Sequence, residues 1–460
     1  MQIAFFQVDR STFREMVRIA VPMVVSQGTF ALMIFTDRYF MSQISPTHMA
    51  ASLGGGVAAF FSFCFFTGLF SYSNALVAQY FGAKELHKCP KVVTQGLILS
   101  VVSLIPLAVI TLGVLQLFNL LDHDPRLVEL ERVYFLILMA GVLLPLAKTC
   151  FSSYFAGIGR TRIVMICDIC GLLLNVPLAY VMIFGHLGLP AMGIAGAAIS
   201  TNIATLFSLG LFVWFYMKPF HRVRFRVMQS FHFDAGITRR YLRLGLPSAV
   251  ELFLNVAAFN LFLLMFQSYG IVAGASAAIV FNWDILSFVP MIGLNIAVIS
   301  MIGRFVGAGD MERTNQVIRA GFALGLCYSA ALAVTYIVFR FPLVEIFTPP
   351  GGDFEEIRAL AGFMMVGLSC YTMADATCLV AGGVLRGAGD TRWLMIASVT
   401  LHWLMLVVQY FVILVWRLSP QVSWIVLTLL VFSIAVVYVT RLRGDSWRSE
   451  EKLAAVMGED

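Results

Sequence analysis

The sequence predicts an all-α polytopic membrane protein, with twelve membrane-spanning helices in two pseudo-symmetric six-helix bundles. Three observations carry that prediction. The chain of 460 residues is 60% hydrophobic and only 12% charged, about half the charged share of an ordinary soluble domain. Its apolar residues gather in runs of roughly 20 or more, the length that crosses a bilayer. Two blocks of sequence recur at fixed offsets, as a duplicated six-helix unit would require.

A mean hydropathy of +0.88 leaves too little polar surface to cover a globule in water. The net charge of +6 is small and its basic residues sit in short connections, which argues against a nucleic-acid partner. The N-terminal stretch "MQIAFFQVDRSTFREMVRIAVP" has no short apolar core followed by a small-residue cleavage site, so the first long span is expected to stay in place. The eight cysteines mostly fall inside apolar runs and read as small core hydrophobes. Cys167 and Cys170 have CxxC spacing but flank Asp168 within one run. The seven histidines are scattered, and His402 reads as a packing residue.

The expected spans are 16–42, 50–81, 93–121, 130–157, 163–185, 191–217, 241–267, 271–303, 315–340, 357–385, 393–416 and 420–440. Backbone groups in lipid must pair internally, and these runs lack the period-2 alternation of barrel strands, so they are helices. Most basic residues lie in every second connection: Arg10, Arg14 and Arg18; Lys84, Lys88 and Lys91; Arg160 and Arg162; the Arg-rich stretch from Lys218 to Arg243; Arg304, Arg313 and Arg319; Arg386 and Arg392; Arg441 to Lys452. The positive-inside rule then places both termini in the cytoplasm.

The halves resemble each other. Pro22/Pro247, Gly68/Gly293, Gly82/Gly307 and Gly96/Gly321 share an offset of 225; Gly157/Gly387, Thr161/Thr391, Arg162/Arg392 and Tyr180/Tyr410 share one of 230. An even number of helices per copy makes this a parallel repeat about an axis along the membrane normal, an arrangement of transporters. It divides the chain into an N-terminal lobe over 1–217, a cytoplasmic linker over 218–240 and a C-terminal lobe over 241–460.

Function is expected where the copies differ. Glu251 matches Ser26, Asp37 matches Phe262 and Asp284 matches Ala59; Asp375 matches Pro145, Asp168 matches Ser398 and Lys148 matches Cys378. Each charged residue within a span costs a few kcal/mol on insertion scales, and six of them suggest a wet interior. Counting about 1.5 Å per residue from the cytoplasmic arginines puts Glu251 roughly 12 Å and Asp375 roughly 16 Å deep. Their similar depth predicts that they face one another, with Tyr371 one turn from Asp375. Asp37 lies deeper, with an ion pair to Arg38 as its alternative. Lys148 sits near mid-depth and can neutralise a carboxylate. Carboxylates in a low-dielectric cavity need a proton or a cation for company. Competition between that ion and a cationic substrate is the basis of antiport. Forty Phe and 22 Met suit flat organic cations through apolar and cation–π contacts.

Several motifs resemble the multidrug and toxic compound extrusion (MATE) family, in its NorM-like branch. Pro22 and Asp37 match the family's first-helix spacing, "GLLLNVPLAY" with Asn175 its fifth-helix motif, and "YTMAD…LRG" with Tyr371, Asp375 and Arg386 its tenth-helix signature. The resemblance covers nearly the whole chain. It implies a V-shaped pair of six-helix bundles and a Na⁺- or H⁺-coupled antiporter. Such a protein exports amphipathic, often cationic, drugs from the cytoplasm as a monomer, in the bacterial inner membrane. Asp37, Asn175, Glu251, Asn255, Tyr371 and Asp375 are the ion-coupling candidates, and Lys148, Asp168, Thr201, Asn282 and Asp284 the accessory ones. Na⁺ would sit at Asp37/Asn175 or at Glu251/Asp375; no other metal and no cofactor is expected. The family's seventh-helix glutamate is replaced by Asn255, with Glu251 one turn earlier. A flippase for lipid-linked saccharides is the alternative, but it calls for a basic central cavity where this chain offers carboxylates. Nothing in the sequence reads as a hydrolase motif or a phosphate-binding loop.

Overall fold

A computed structural model describes residues 9–120, 124–347, 354–449, 453–454 and 458. The tips of two predicted connections, 121–123 and 348–353, and the basic residue Lys452 lie outside the described residues. The described chain is helical in this order: α1 (Arg10–Ile44), α2 (Pro46–Ser71), α3 (Ser73–Gly82), α4 (Lys88–Val102), α5 (Leu104–Leu120), α6 (Pro125–Ala140), α7 (Leu143–Gly157), α8 (Thr161–Phe184), α9 (Ile194–Tyr216), α10 (Pro219–Arg224), α11 (Ala235–Gln267), α12 (Ile271–Gly307), α13 (Met311–Val338), α14 (Arg340–Glu345), α15 (Glu355–Ala388), α16 (Thr391–Tyr410) and α17 (Pro420–Arg443). A π-helical turn, Phe411–Val415, continues α16. Among the described residues, eleven helices or helix pairs are long and apolar enough to cross a membrane, and twelve if α6 and α7 count as one span bent by 47°.

The bend has a local cause. Pro145 has no N–H to give the Gly141 carbonyl, and its ring crowds that carbonyl, so α6 cannot run on into α7. The loosened turn is caught from α9, where the Asn202 amide donates to the Ile137 carbonyl at 2.7 Å. Pro106 breaks α4 from α5 at Ser103 in the same way. In the second copy α13 and α15 have no such proline and run unbroken.

The repeat seen in the sequence is also a repeat of contacts. Gly157 lies so close to α3 that a Cβ there would meet the Val77 side chain at 2.8 Å and the Asn74 carbonyl at 2.9 Å. Gly387 meets Ile302 and the Ile299 carbonyl on α12, both at 2.9 Å. Asn74 and Val77 match Ile299 and Ile302 at the same offset of 225 that relates Pro22 to Pro247.

Packing divides the chain into two compact units. The N-terminal unit is Val25–Val250 with Gly458–Asp460; the C-terminal unit is Glu251–Met457 with Met1–Val24. The chain crosses between them within α1 and α11, in each case two or three residues beyond a proline inside the helix, Pro22 or Pro247. Met16, Ile19 and Ala20 accordingly belong to a core formed with α12, α13 and α15. The stretch between the halves is docked on the N-terminal unit. Lys91 pairs with Asp234 at 2.9 Å, Gln95 donates to the His232 carbonyl at 2.9 Å, and His221 is buried beside the Tyr154 hydroxyl at 3.3 Å.

Candidate functional site

Each unit holds two polar clusters. In the N-terminal unit, Asp37 is only 5% exposed. Thr201 donates to its Oδ2 at 2.9 Å, and Oδ1 has no hydrogen-bond partner. Among the described residues no ion pair joins Asp37 to Arg38; Asp37 accepts from Thr201 of α9 and lies beside the Tyr134 ring on α6. Asn175 is fully buried, and both atoms of its amide are without a partner. Met41, Ala179 and Ala197 share one apolar cluster. They stand four residues from Asp37, Asn175 and Thr201, respectively. Because α9 runs opposite to α1 and α8, all three polar residues lie one turn to the same side of that cluster. The structure therefore brings Asp37, Asn175 and Thr201 to one level.

Nearer the start of α1, Lys148 pairs with Asp168 at 2.7 Å and the Ser26 hydroxyl donates to the other carboxylate oxygen. The lysine contact is an ion pair without hydrogen-bond alignment, since Asp168 Oδ1 has no aligned donor. Lys148 thus neutralises a carboxylate, as its position suggested, and that carboxylate is Asp168.

The corresponding level of the C-terminal unit exchanges the roles. Glu251 stands at the Ser26 position and Ser398 at the Asp168 position. Arg386 Nη2 donates to Glu251 Oε1 at 2.8 Å, with the glutamate side chain 3% exposed and the arginine 26%. Asn255 donates to the Ser398 hydroxyl at 2.7 Å. His402 Nδ1 lies 2.8 Å from the Ser398 carbonyl, the packing role expected of it. Tyr438 of α17 closes the group.

Glu251 and Asp375 were expected to face each other. Instead Glu251 faces Arg386, and Asp375 lies beside Asp284 and Tyr371. Depth fixes one coordinate of a side chain, while its direction around the helix fixes its partner. Arg386, which the sequence places at the cytoplasmic end of its span, sets its guanidinium on the buried Glu251. The Asp284 and Asp375 carboxyls are set deep among protein atoms and still keep part of their surface open. The Tyr371 hydroxyl, on a residue 5% exposed, faces both carboxyls without a well-formed hydrogen bond. Tyr336 of α13 stands by, its hydroxyl held by Ser287 at 2.5 Å and donating to the Trp283 carbonyl at 2.8 Å. Asn282 is exposed and its amide donates to the Ala278 carbonyl of its own helix at 2.8 Å, apart from the group. Tyr134, Tyr336 and Tyr438 went unnoticed in the sequence, where a tyrosine in an apolar run looks like any other aromatic.

The MatE family model matches residues 22–181 and 247–411, the two halves of the repeat. NorM of Shewanella oneidensis is 27% identical over 405 residues, covering 85% of this chain and 84% of its own. The multidrug resistance protein MdtK of Yersinia pseudotuberculosis is 27% identical over 464 residues, covering 96% and 97%. Among solved structures, a MOP superfamily transporter from Pyrococcus furiosus superposes with a TM-score of 0.86 at 18% identity, covering 99% of this chain and 98% of its own. The eukaryotic MATE transporter AtDTX14 superposes with a TM-score of 0.86 at 14% identity, covering 97% and 98%. With both halves of the repeat matched, and with the fold of these transporters, the chain belongs to the MatE family.

Proposed function

We propose that this protein is a secondary transporter and not an enzyme: a cation-coupled multidrug antiporter that exports amphipathic, often cationic, organic compounds by alternating access. It works as a monomer in the bacterial cytoplasmic membrane, with both termini and the 218–240 linker in the cytoplasm between lobes 1–217 and 241–460. The observation that carries the reading is Asp37. A carboxylate 5% exposed, with a hydroxyl beside it and no ion pair among the described residues, cannot keep a bare charge in such surroundings. It needs a proton or Na⁺, and an exchangeable cation is what an antiporter requires. Asn175 and Thr201 supply neutral oxygens at the same level, and Asp375 with Tyr371 forms a comparable site in the C-terminal unit. The relatives' names, multidrug resistance proteins, point to the same class of cargo. Dye efflux from everted vesicles, with Na⁺ and pH gradients imposed separately, tests the reading and identifies the ion. Asp37→Asn is expected to abolish gradient-driven efflux while the protein still inserts; full efflux by that variant would refute the role of Asp37.

A further inference from the structure

We propose that Asp284, rather than Glu251, is the second carboxylate of a cation site that also contains Asp375 and Tyr371, and that this site takes one monovalent cation, a proton or Na⁺. The inference rests on the antiporter reading and deepens it by naming the ligands in the C-terminal unit.

Glu251 already has a cation of its own, the Arg386 guanidinium at 2.8 Å. Asp375 lies eleven residues before Arg386 on α15, roughly 16 Å along the helix axis. Asp284 comes from α12, which packs along α15 in fixed register: Asn295 donates to the Leu379 carbonyl at 2.5 Å, and Gly383 and Gly387 abut Val298 and Ile302. That register brings Asp284, about three turns before Asn295, near the level of Tyr371, about one turn from Asp375. Among the described residues, the titratable groups facing this pair are Tyr371 and Cys378 on α15 and Tyr336 on α13, none of which carries positive charge. Two neighbouring carboxylates cannot both stay ionised without a counter-charge, and together they titrate as one unit. Tyr371 supplies the remaining ligand. It has a buried hydroxyl aimed at the carboxyls with no well-formed hydrogen bond. Tyr336 cannot take that part, since Ser287 and the Trp283 carbonyl already engage its hydroxyl.

The repeat removes the simplest alternative, that these residues belong to a shared packing scaffold. The positions matching Asp284, Asp375 and Tyr371 are Ala59, Pro145 and Gly141. The last two make the break between α6 and α7. Where the first copy bends, the second keeps a straight helix and places two of the three ligands on one face of it.

The test uses purified full-length protein carrying Asp37→Asn, so that the other carboxylate site is silent. Thermal melting is followed while NaCl replaces KCl at constant ionic strength and alkaline pH, and separately while pH is lowered in KCl alone. Asp37→Asn should gain stability in one of the two arms, and the responding arm names the cation. Adding Asp284→Asn should weaken the apparent Na⁺ affinity at least about tenfold, or move the proton midpoint by at least about one pH unit. Asp284→Glu should restore part of the response, and Glu251→Gln with Arg386→Gln should leave it in place. If Asp284→Asn does not fold, Asp284→Ala, which installs the sister copy's residue, gives the same comparison. A response unchanged by the loss of Asp284, or no response to either cation in Asp37→Asn, overturns the proposal. Wild-type protein that binds the cation yet shows no gradient-driven efflux would refute the transport reading and leave this site standing.

Discussion

Glu251→Gln separates a structural ion pair from a coupling carboxylate. In the folded protein Glu251 is 3% exposed and Arg386 26%, with 2.8 Å between them. Removing one partner of a fully buried pair costs about 3–5 kcal/mol. Glutamine keeps an acceptor at the same place, and the arginine side chain is only partly buried, so Glu251→Gln should cost only about 1–2 kcal/mol. The reverse change, Arg386→Gln, leaves the more deeply buried carboxylate without its counter-charge and should cost about 3–4 kcal/mol. The double variant has no uncompensated charge and should lie within about 1 kcal/mol of wild type, giving a coupling of about 3 kcal/mol or more. Thermal unfolding of the four proteins in detergent, beside efflux in everted vesicles, provides the cycle. Additive losses would show that the pair does not act as a unit. Wild-type stability in Glu251→Gln, together with lost efflux, would return Glu251 to ion coupling and refute the structural role.

Two further outcomes follow from the clusters outside the proposed cation sites. Lys148→Gln should destabilise the protein by about 2 kcal/mol, because Asp168 keeps a buried charge; adding Asp168→Asn should recover most of that loss, and a double variant no more stable than Lys148→Gln would refute the pairing. Burial, with Arg160, Arg224 and Lys218 nearby, lowers the His221 pKa from 6.5 to about 4. Between those values an undocked linker takes up a proton that the docked one excludes, so docking is fully stable above pH 6.5 and weakens as pH falls toward about 4. Hydrogen exchange in residues 221–232, corrected for its intrinsic pH dependence, should rise across that window; an identical rise in His221→Phe would exclude the imidazole as the cause.

The sequence by itself determined the class, the spans and the duplication. Composition and run length depend only on which residues are present and in what order, and a bilayer reads both directly. The same holds for the charged residues that depart from the repeat: Asp37, Glu251, Asp284 and Asp375 stand out because insertion into lipid makes each of them costly. Their partners were decided by tertiary structure. Counting residues along a helix gives depth, but 100° of rotation per residue and the tilt of each neighbour decide which side chains meet. Glu251 and Asp375 have similar depth and different neighbours for that reason. The fourth span reads in the sequence as one run, 130–157, and its split into α6 and α7 emerged only in the fold. That Asn202 on α9 catches the freed turn could be seen only after α6 and α9 had packed. The same limit applies to the exchange of the first turns of α1 and α11 between the compact units. Two prolines mark where each helix is weakened, but only the packed cores show that Met16 and Ile19 lie with α12 and α15 rather than with the half of the chain that encodes them.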